Sequence, residues 1–321
     1  MLDDFPWLFV VAGLALLTAG GEILVRGSAR LARRLGVPPV VVGLTIVAFG
    51  TSSPELFVSV GASLSGSGDI AIGNVVGSNI GNIGCILALC AIILPLHVST
   101  QILRVDMPVA LLVSLGASVL LADGRLGRPE AALLLAGLIL YTAMTVRSAR
   151  REQALAVREE YAAAMPPPAG NWVRDLMLVL AGLGLLAGGA RSLVEGAVVI
   201  ARSAGVNEAV IGLTIVAIGT SLPELSASLV AAFRRQSDIA VGNVVGSNLF
   251  NTLGILGVAG LAAPLRAYDL RALDLGVMVG FTLLLLPFMK TGFRLQRWEG
   301  TLLLAGYVAY IVHLIGRIPA Q

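Results

Sequence analysis

Residues 43–56 read GLTIVAFGTSSPEL and residues 212–225 read GLTIVAIGTSLPEL, identical at 12 of 14 positions with an offset of 169. At the same offset DIAIGNVVGSNI (69–80) matches DIAVGNVVGSNL (238–249) at 10 of 12. Unrelated segments would agree at about one position in either window, so the chain is an internal duplication. Each copy of the first motif carries one carboxylate, Glu55 or Glu224, and no other charge lies between residues 35 and 68 or between 209 and 233. The second motif opens runs, 70–96 and 239–265, that carry none. A bilayer-spanning helix needs about 20 largely apolar residues, and these runs supply them. Composition agrees: 57% of residues are hydrophobic and 13% charged, against roughly 25% charged in a soluble domain. A solvated globular fold is excluded.

Cutting the chain at charged and Pro/Gly-rich joints predicts an all-α polytopic membrane protein of ten transmembrane helices. They cover 5–25, 38–64, 70–95, 105–122, 129–147, 173–200, 208–233, 239–264, 272–289 and 299–316. The second and seventh stretches are long enough to be bent or broken. Each half (1–147 and 172–321) holds five spans, joined by a polar linker at 148–171 that breaks at Pro166, Pro167 and Pro168. Five is odd, so the second copy enters the membrane from the opposite side, giving inverted repeats with a site near the midplane between them. Of 22 basic residues, 15 fall in the joints on the linker's side and 7 on the other. The positive-inside rule then places both termini outside and the linker in the cytoplasm. The opening MLDDFPWLFV has two acids and no basic region, and is read as a retained first span. Basic residues scattered between apolar runs do not make a nucleic-acid face. Cys85 and Cys90 lie in one predicted helix on different faces, which argues against a disulfide or metal clip.

The repeated G-T-S-x-P-E places Gly50, Thr51, Ser52, Pro54 and Glu55, with counterparts Gly219, Thr220, Ser221, Pro223 and Glu224, inside a span. Proline cannot donate to the carbonyl four residues back, so Pro54 and Pro223 are expected to free the carbonyls of Gly50 and Gly219 within a helix these glycines loosen. Unsatisfied backbone survives at membrane depth only beside protein, a cavity or an ion. A carboxylate there costs about 2.5–3.5 kcal/mol even on the lenient insertion scale, and no Lys or Arg occupies the four motif-bearing runs. Mobile cations or protons must supply the positive charge. The second motif adds Asn74, Ser78, Asn79 and Asn82, mirrored by Asn243, Ser247, Asn248 and Asn251. Ser78 and Asn82 share a helix face, as do Ser247 and Asn251. Every donor atom on offer is oxygen, which suits hard cations such as Ca²⁺, or Na⁺ of similar size.

With its doubled GTSxPEL and GNVVGSN motifs in ten inverted spans, the chain resembles the cation/Ca²⁺ antiporter superfamily, specifically prokaryotic sodium/calcium exchangers. The resemblance covers nearly the whole length. It implies that Glu55 and Glu224 bridge a central Ca²⁺ position. Thr51, Ser52, Thr220, Ser221, Ser78 and Ser247, with the carbonyls of Ala48 and Ala217, would complete that position and the flanking Na⁺ positions. Asn82 and Asn251 fall on the remaining central polar position, where some relatives, K⁺-dependent exchangers among them, carry Asp in the second repeat; Asn in both copies argues against K⁺ coupling and leaves two central acids. Asn74, Asn79, Asn243 and Asn248 are read as supports for these ligands. The implied activity is Na⁺/Ca²⁺ antiport in a cytoplasmic membrane, by a functional monomer with no cofactor besides the transported Ca²⁺ and Na⁺ and no obligate protein partner. By the same analogy the spans at 5–25 and 173–200 are the moving part.

Other readings of the same residues stay open. A proton-coupled cation antiporter would use the same two acids. A passive channel is disfavoured by two fixed central acids in an inverted repeat. An intramembrane hydrolase would need a Ser–His pair, a zinc motif or paired catalytic Asp, and both histidines, His97 and His313, lie outside the repeated motifs. Gly43, Gly50, Gly73 and Gly77 with their partners also allow close helix contact. Asp69 and Asp238 look like N-caps, and Glu22 with Arg26 like a helix-face ion pair.

Overall fold

A computed structural model of the chain describes residues 5–35, 37–160, 172–204, 217–267 and 270–316. The first half builds α1 (Pro6–Leu35), α2 (Pro39–Thr51), α3 (Ser53–Leu64), α4 (Gly68–Ile93), β1 (Leu96–His97), α5 (Ile102–Leu120), β2 (Arg125–Leu126) and α6 (Arg128–Glu160). The second half builds α7 (Trp172–Ser203), α8 (Ala217–Thr220), α9 (Leu222–Phe233), α10 (Ser237–Ala262), β3 (Leu265–Arg266), α11 (Ala272–Lys290), β4 (Arg294–Leu295) and α12 (Arg297–Ile315). Seven of these helices are long and apolar enough to cross a bilayer, and α2 with α3 forms a bent eighth span. The 12-residue α9 and the 19-residue α12 stand at the places of the seventh and tenth. The start of the predicted seventh span, 208–216, lies outside the described residues.

Two boundaries differ from expectation. Helix α1 continues past residue 25 to Leu35, and α6 continues past 147 to Glu160, into the stretch read as linker. Both extensions are rich in Arg and Ala, which favour helix as well as apolar residues do, so the helices outlast their hydrophobic runs. Asp69 and Asp238 also move. They sit in the first turns of α4 and α10, behind Ser67 and Gln236 at the cap positions. There they complement the positive helix end.

Two small antiparallel ladders reveal the inversion. Leu96 and His97 pair with Leu295 and Arg294, whereas Arg125 and Leu126 pair with Arg266 and Leu265. At the 169-residue offset β1 corresponds to β3 and β2 to β4, so equivalent strands end in different ladders. β1 and β4 lie an even number of crossings apart, as do β2 and β3, which puts each pair on one membrane face. β1 and β2 are one crossing apart, so the ladders lie on opposite faces. Equivalent joints of the two halves therefore face opposite sides.

Burial separates centre from rim. Of the apolar stretch of α10, 89% is buried and of α4 61%, against 22% for α6 and 28% for α7. The rim carries exposed Leu112, Val119, Leu133 and Ile139, suited to lipid. Within it α1 and α7 lie antiparallel along a seam of glycines seven residues apart. A Cβ on Gly13, Gly20 or Gly27 would come within 2.6 to 3.0 Å of the main chain of α7, and one on Gly182, Gly189 or Gly196 within 2.6 to 2.8 Å of that of α1. Small residues let membrane helices approach this closely. Polar ties secure the pair: Arg34 Nε donates to Asp175 Oδ2 at 2.8 Å and Ser192 Oγ to the Phe9 carbonyl at 2.9 Å. Toward the centre, Ser226 Oγ donates to the Leu17 carbonyl at 2.7 Å. Glu22 does pair with Arg26, and it also takes Arg234, which follows α9.

Candidate ion site

The first motif breaks its span. Ser52 has φ −80° and ψ 7°, Ser221 has φ −88° and ψ 4°, and the axes of α2 and α3 diverge by 48°. The spans are interrupted at the motif whose glycines and prolines are the expected helix-breaking residues, and the interruption itself falls on Ser52 and Ser221. Pro54 and Pro223 lie in the first turns of α3 and α9, where a missing N–H goes unused and the fixed φ suits a helix start. Gly50 and Gly219 lie just before the two breaks and also make room for a neighbour. A Cβ on either would collide with α7, at Leu183 and Val194 respectively, so these glycines seat the rim helix against the two breaks.

The breaks bring the acids together across the repeats. Glu55 and Glu224 occupy the first turns of the new helices, where the helix dipole favours a carboxylate, and each is only 1% exposed. Ser52 Oγ donates to Glu224 Oε1 at 2.9 Å, and Ser221 Oγ donates to Glu55 Oε1 at 3.2 Å. Each acid is thus held by the serine of the other half. Thr51 is buried, and its hydroxyl lies 3.2 Å from Asn243 Oδ1 and 3.3 Å from the Ala48 carbonyl. That carbonyl also accepts the Ser52 amide at 3.0 Å, so it is engaged within its own turn. Thr220 and Ser221 are half-buried. Ala217 opens α8, and its side chain lies outside the description.

The second motif forms the surrounding frame. Asn74 Nδ2 donates to the Glu55 carbonyl (3.3 Å) and Ser59 Oγ (2.9 Å); Asn243 Nδ2 does the same for the Glu224 carbonyl (3.5 Å) and Ser228 Oγ (3.0 Å). Both bind the main chain of the acid, leaving its carboxylate turned inward. Across the repeats, Asn82 Nδ2 donates to Asn248 Oδ1 at 2.9 Å and Asn251 Nδ2 to Asn79 Oδ1 at 3.2 Å. Ser78 and Ser247 are buried on the same helices.

Five buried oxygens of this cluster meet no hydrogen-bond donor among the described residues: Glu55 Oε2, Glu224 Oε2, Asn82 Oδ1, Asn251 Oδ1 and Ser247 Oγ. Buried polar atoms are nearly always paired, and a buried unpaired charge is expensive. Four of these atoms can only accept, two of them carboxylate oxygens, and Ser247 Oγ is a hydroxyl; the set lacks the partners that buried polar atoms normally have.

Three features go beyond the sequence expectations. Asn82 and Asn251 lie in widened π-helical turns, Asn82–Leu87 and Phe250–Ile255, of the kind that cluster at functional sites. The turn at Asn82 lies against α9, and that at Asn251 against α3, so each turn adjoins the helix bearing the other half's acid. No composition or spacing rule flags such a turn. The glycine seam, by contrast, has a signal in the chain, a seven-residue recurrence in both halves. Thr252, which replaces Ile83 of the first copy, also joins the frame.

Comparison with known proteins gives the same picture. The sodium/calcium exchanger protein family matches residues 5–147 and 175–316. The chain is 42% identical to CaxA of Alkalimonas amylolytica, covering 94% of this chain and 96% of that one. It is 33% identical to the sodium/calcium exchanger MaX1 of Methanosarcina acetivorans, covering 96% and 98%. Among solved structures, the sodium-calcium exchanger NCX_Mj soaked with zero Na⁺ and Ca²⁺ superposes with a TM-score of 0.86 at 36% identity, covering 98% of this chain and 100% of that one. That fold has ten transmembrane helices in two repeats. The chain belongs to the sodium/calcium exchanger family and is a membrane cation exchanger of the NCX_Mj type, a transporter and not an enzyme.

Proposed function

We propose that the protein exchanges Na⁺ for Ca²⁺ by alternating access, with both ions competing for the oxygen cluster around Glu55 and Glu224. The observation that carries this reading is the set of five buried, unpaired oxygens, which includes one oxygen of each acid. One Ca²⁺ or several Na⁺ would neutralise the same two charges. With neither bound, two bare carboxylates resist passage through a closed, low-dielectric state, which makes exchange obligatory; it is electrogenic when three or more Na⁺ replace one Ca²⁺. The names of MaX1 and NCX_Mj, and the soaking of NCX_Mj with Na⁺ and Sr²⁺, agree with this choice of ions.

In this reading Glu55, Glu224, Asn82, Asn251 and Ser247 face the ion, with Thr51, Ser52, Thr220, Ser221, Ser78 and the Ala48 and Ala217 carbonyls completing the positions around it. The α1–α7 pair, fastened along its glycine seam, moves as one body against the centre. The termini lie outside and the segment between the halves in the cytoplasm. A bacterial relative, YrbG of Escherichia coli, is named an inner membrane protein, which agrees with a cytoplasmic-membrane location.

The test is radioactive Ca²⁺ uptake into proteoliposomes under imposed Na⁺, K⁺ or H⁺ gradients. Uptake is expected from an outward Na⁺ gradient at clamped pH, and uptake that follows only the H⁺ gradient would replace Na⁺ by protons as the coupling ion. Ser52→Ala and Ser221→Ala each remove a hydrogen bond to a carboxylate. Such a bond contributes about 1.5–3 kcal/mol to stability, so each variant is expected to have a lower thermal midpoint in ion-free buffer, and a carboxylate freed from its fixed position is expected to bind Ca²⁺ more weakly by titration calorimetry.

A further inference from the structure

An asparagine amide is nearly symmetric in shape, yet its two ends differ in chemistry: one accepts hydrogen bonds and the other donates. A cation site tolerates only the oxygen. The structure contains a device that settles which end of Asn82 and Asn251 enters the site.

Consider Asn251 first. A main-chain carbonyl only accepts, so the Thr252 hydroxyl, 2.9 Å from the Asn248 carbonyl, must donate to it. The Thr252 oxygen then has only lone pairs left, and the Asn79 side chain 2.7 Å away must present its NH₂. With Nδ2 so committed, Asn79 Oδ1 is an acceptor, and Asn251 can meet it at 3.2 Å only through its own NH₂. The remaining end of Asn251 is Oδ1, buried and without a donor.

The second chain is shorter. The Asn79 main-chain carbonyl, again acceptor-only, takes Asn248 Nδ2 at 3.2 Å. Asn248 Oδ1 is left to accept Asn82 Nδ2 at 2.9 Å, and Asn82 Oδ1 is left unpaired in the interior. Asn248 reaches the Asn79 carbonyl directly, whereas Asn79 reaches the Asn248 carbonyl through Thr252. The first repeat has Ile83 at the equivalent of Thr252 and needs no hydroxyl there.

We infer that Asn79, Asn248 and Thr252 are positioning residues: two crossed hydrogen-bond chains, each anchored on a main-chain carbonyl, hold the amide oxygens of Asn82 and Asn251 toward the transported cation. Without the chains either amide could turn its NH₂ inward and set a donor against a positive charge. The inference rests on the cation reading of the site given above.

The test uses the full-length purified protein and Ca²⁺ itself. Thr252→Val keeps the volume and removes the hydroxyl, releasing Asn79 and, through it, Asn251. One charge-assisted contact is lost, so the Ca²⁺ Kd from titration calorimetry is expected to rise about tenfold, since a factor of ten corresponds to roughly 1.4 kcal/mol. Thr252→Ser, which restores the hydroxyl, is expected to bind within about twofold of wild type on the same scale. Asn248→Leu removes the acceptor that orients Asn82 and is expected to weaken Ca²⁺ comparably; it decides the matter if Thr252→Val does not fold. A thermal midpoint measured without Ca²⁺ identifies folded samples, because a purely structural role would lower that midpoint and leave Kd unchanged. Wild-type affinity in folded Thr252→Val, or equal loss in Thr252→Ser, would overturn the inference. Failure of the wild-type protein to bind Ca²⁺ would instead overturn the reading of the site, and the two failures are distinct.

Discussion

Replacing Glu55 or Glu224 by glutamine is expected to abolish Ca²⁺ uptake into Na⁺-loaded proteoliposomes while leaving the protein folded. Glutamine fills the same volume and still offers an oxygen to Ser221 or Ser52, whose bonds hold the carboxylates in place. What it removes is charge. The two acids are 1% exposed, and no Lys or Arg lies in the runs that carry them. One remaining carboxylate leaves a bound Ca²⁺ with a net positive charge inside the protein, and an uncompensated buried charge costs several kcal/mol. Across Ca²⁺ sites affinity spans roughly five orders of magnitude with ligand charge and rigidity, so a loss of about a hundredfold or more is expected on that scale. The glutamine variants should melt at or above the wild-type temperature in ion-free buffer, because a repulsive buried charge has gone. Wild-type uptake in either variant would remove these acids from the transport site. Asp69→Ala is the useful contrast: Asp69 lies in the first turn of α4, away from the crossed bonds, and the variant is expected to reduce uptake without abolishing it.

The second large effect is expected in the glycine seam. In Gly189→Leu the new Cβ would lie 2.8 Å from the Leu17 amide nitrogen, 2.9 Å from Leu16 Cβ and 3.0 Å from the Gly13 carbonyl oxygen. Two of these neighbours are main chain, and main chain within a helix cannot swing aside as a side-chain end can. Relief requires α1 and α7 to separate along their length, losing the close packing that holds membrane helices together. Overpacking a core typically costs about 1–3 kcal/mol, and a collision with backbone belongs at or above the upper end. Transport should be lost and the thermal midpoint should fall by several degrees. Gly188→Leu, one residue away, points into open space and should behave like wild type. Equal effects of the two substitutions would show that the seam does not hold the pair together.

Much of this architecture is legible in the amino-acid string. The ten spans and their order follow from runs of apolar residues, since a bilayer makes length and hydropathy a direct readout, whereas α1 and α6 outlast their runs. Inversion follows from counting five spans to a repeat, and the ladders β1·β4 and β2·β3 place equivalent joints on opposite faces in agreement. The donor set is readable too, because buried carboxylates without cationic partners are conspicuous in an apolar run. Local backbone is what the string conceals. The motif announces a break, but not that it falls on Ser52 and Ser221 with Pro54 and Pro223 in the first turns of new helices, nor that Gly50 and Gly219 give room to α7. A sequence motif shows that a helix is interrupted, but the turn at which it breaks depends on which neighbour accepts the freed groups.

The order of residues alone therefore determined a membrane-spanning, twofold-repeated chain with one acid per half, because hydropathy, charge and repetition are properties of the string itself. Only the folded molecule decided that Ser52 serves Glu224 and Ser221 serves Glu55, that Asn79 and Asn248 each face an asparagine of the other half, and that five oxygens are left turned inward. Hydrogen bonds are directional and short-ranged, so which donor meets which acceptor is settled by the packing of helices far apart in the chain. The residue types recur at fixed spacing in both halves, but their crossed pairing exists only once the halves are brought face to face.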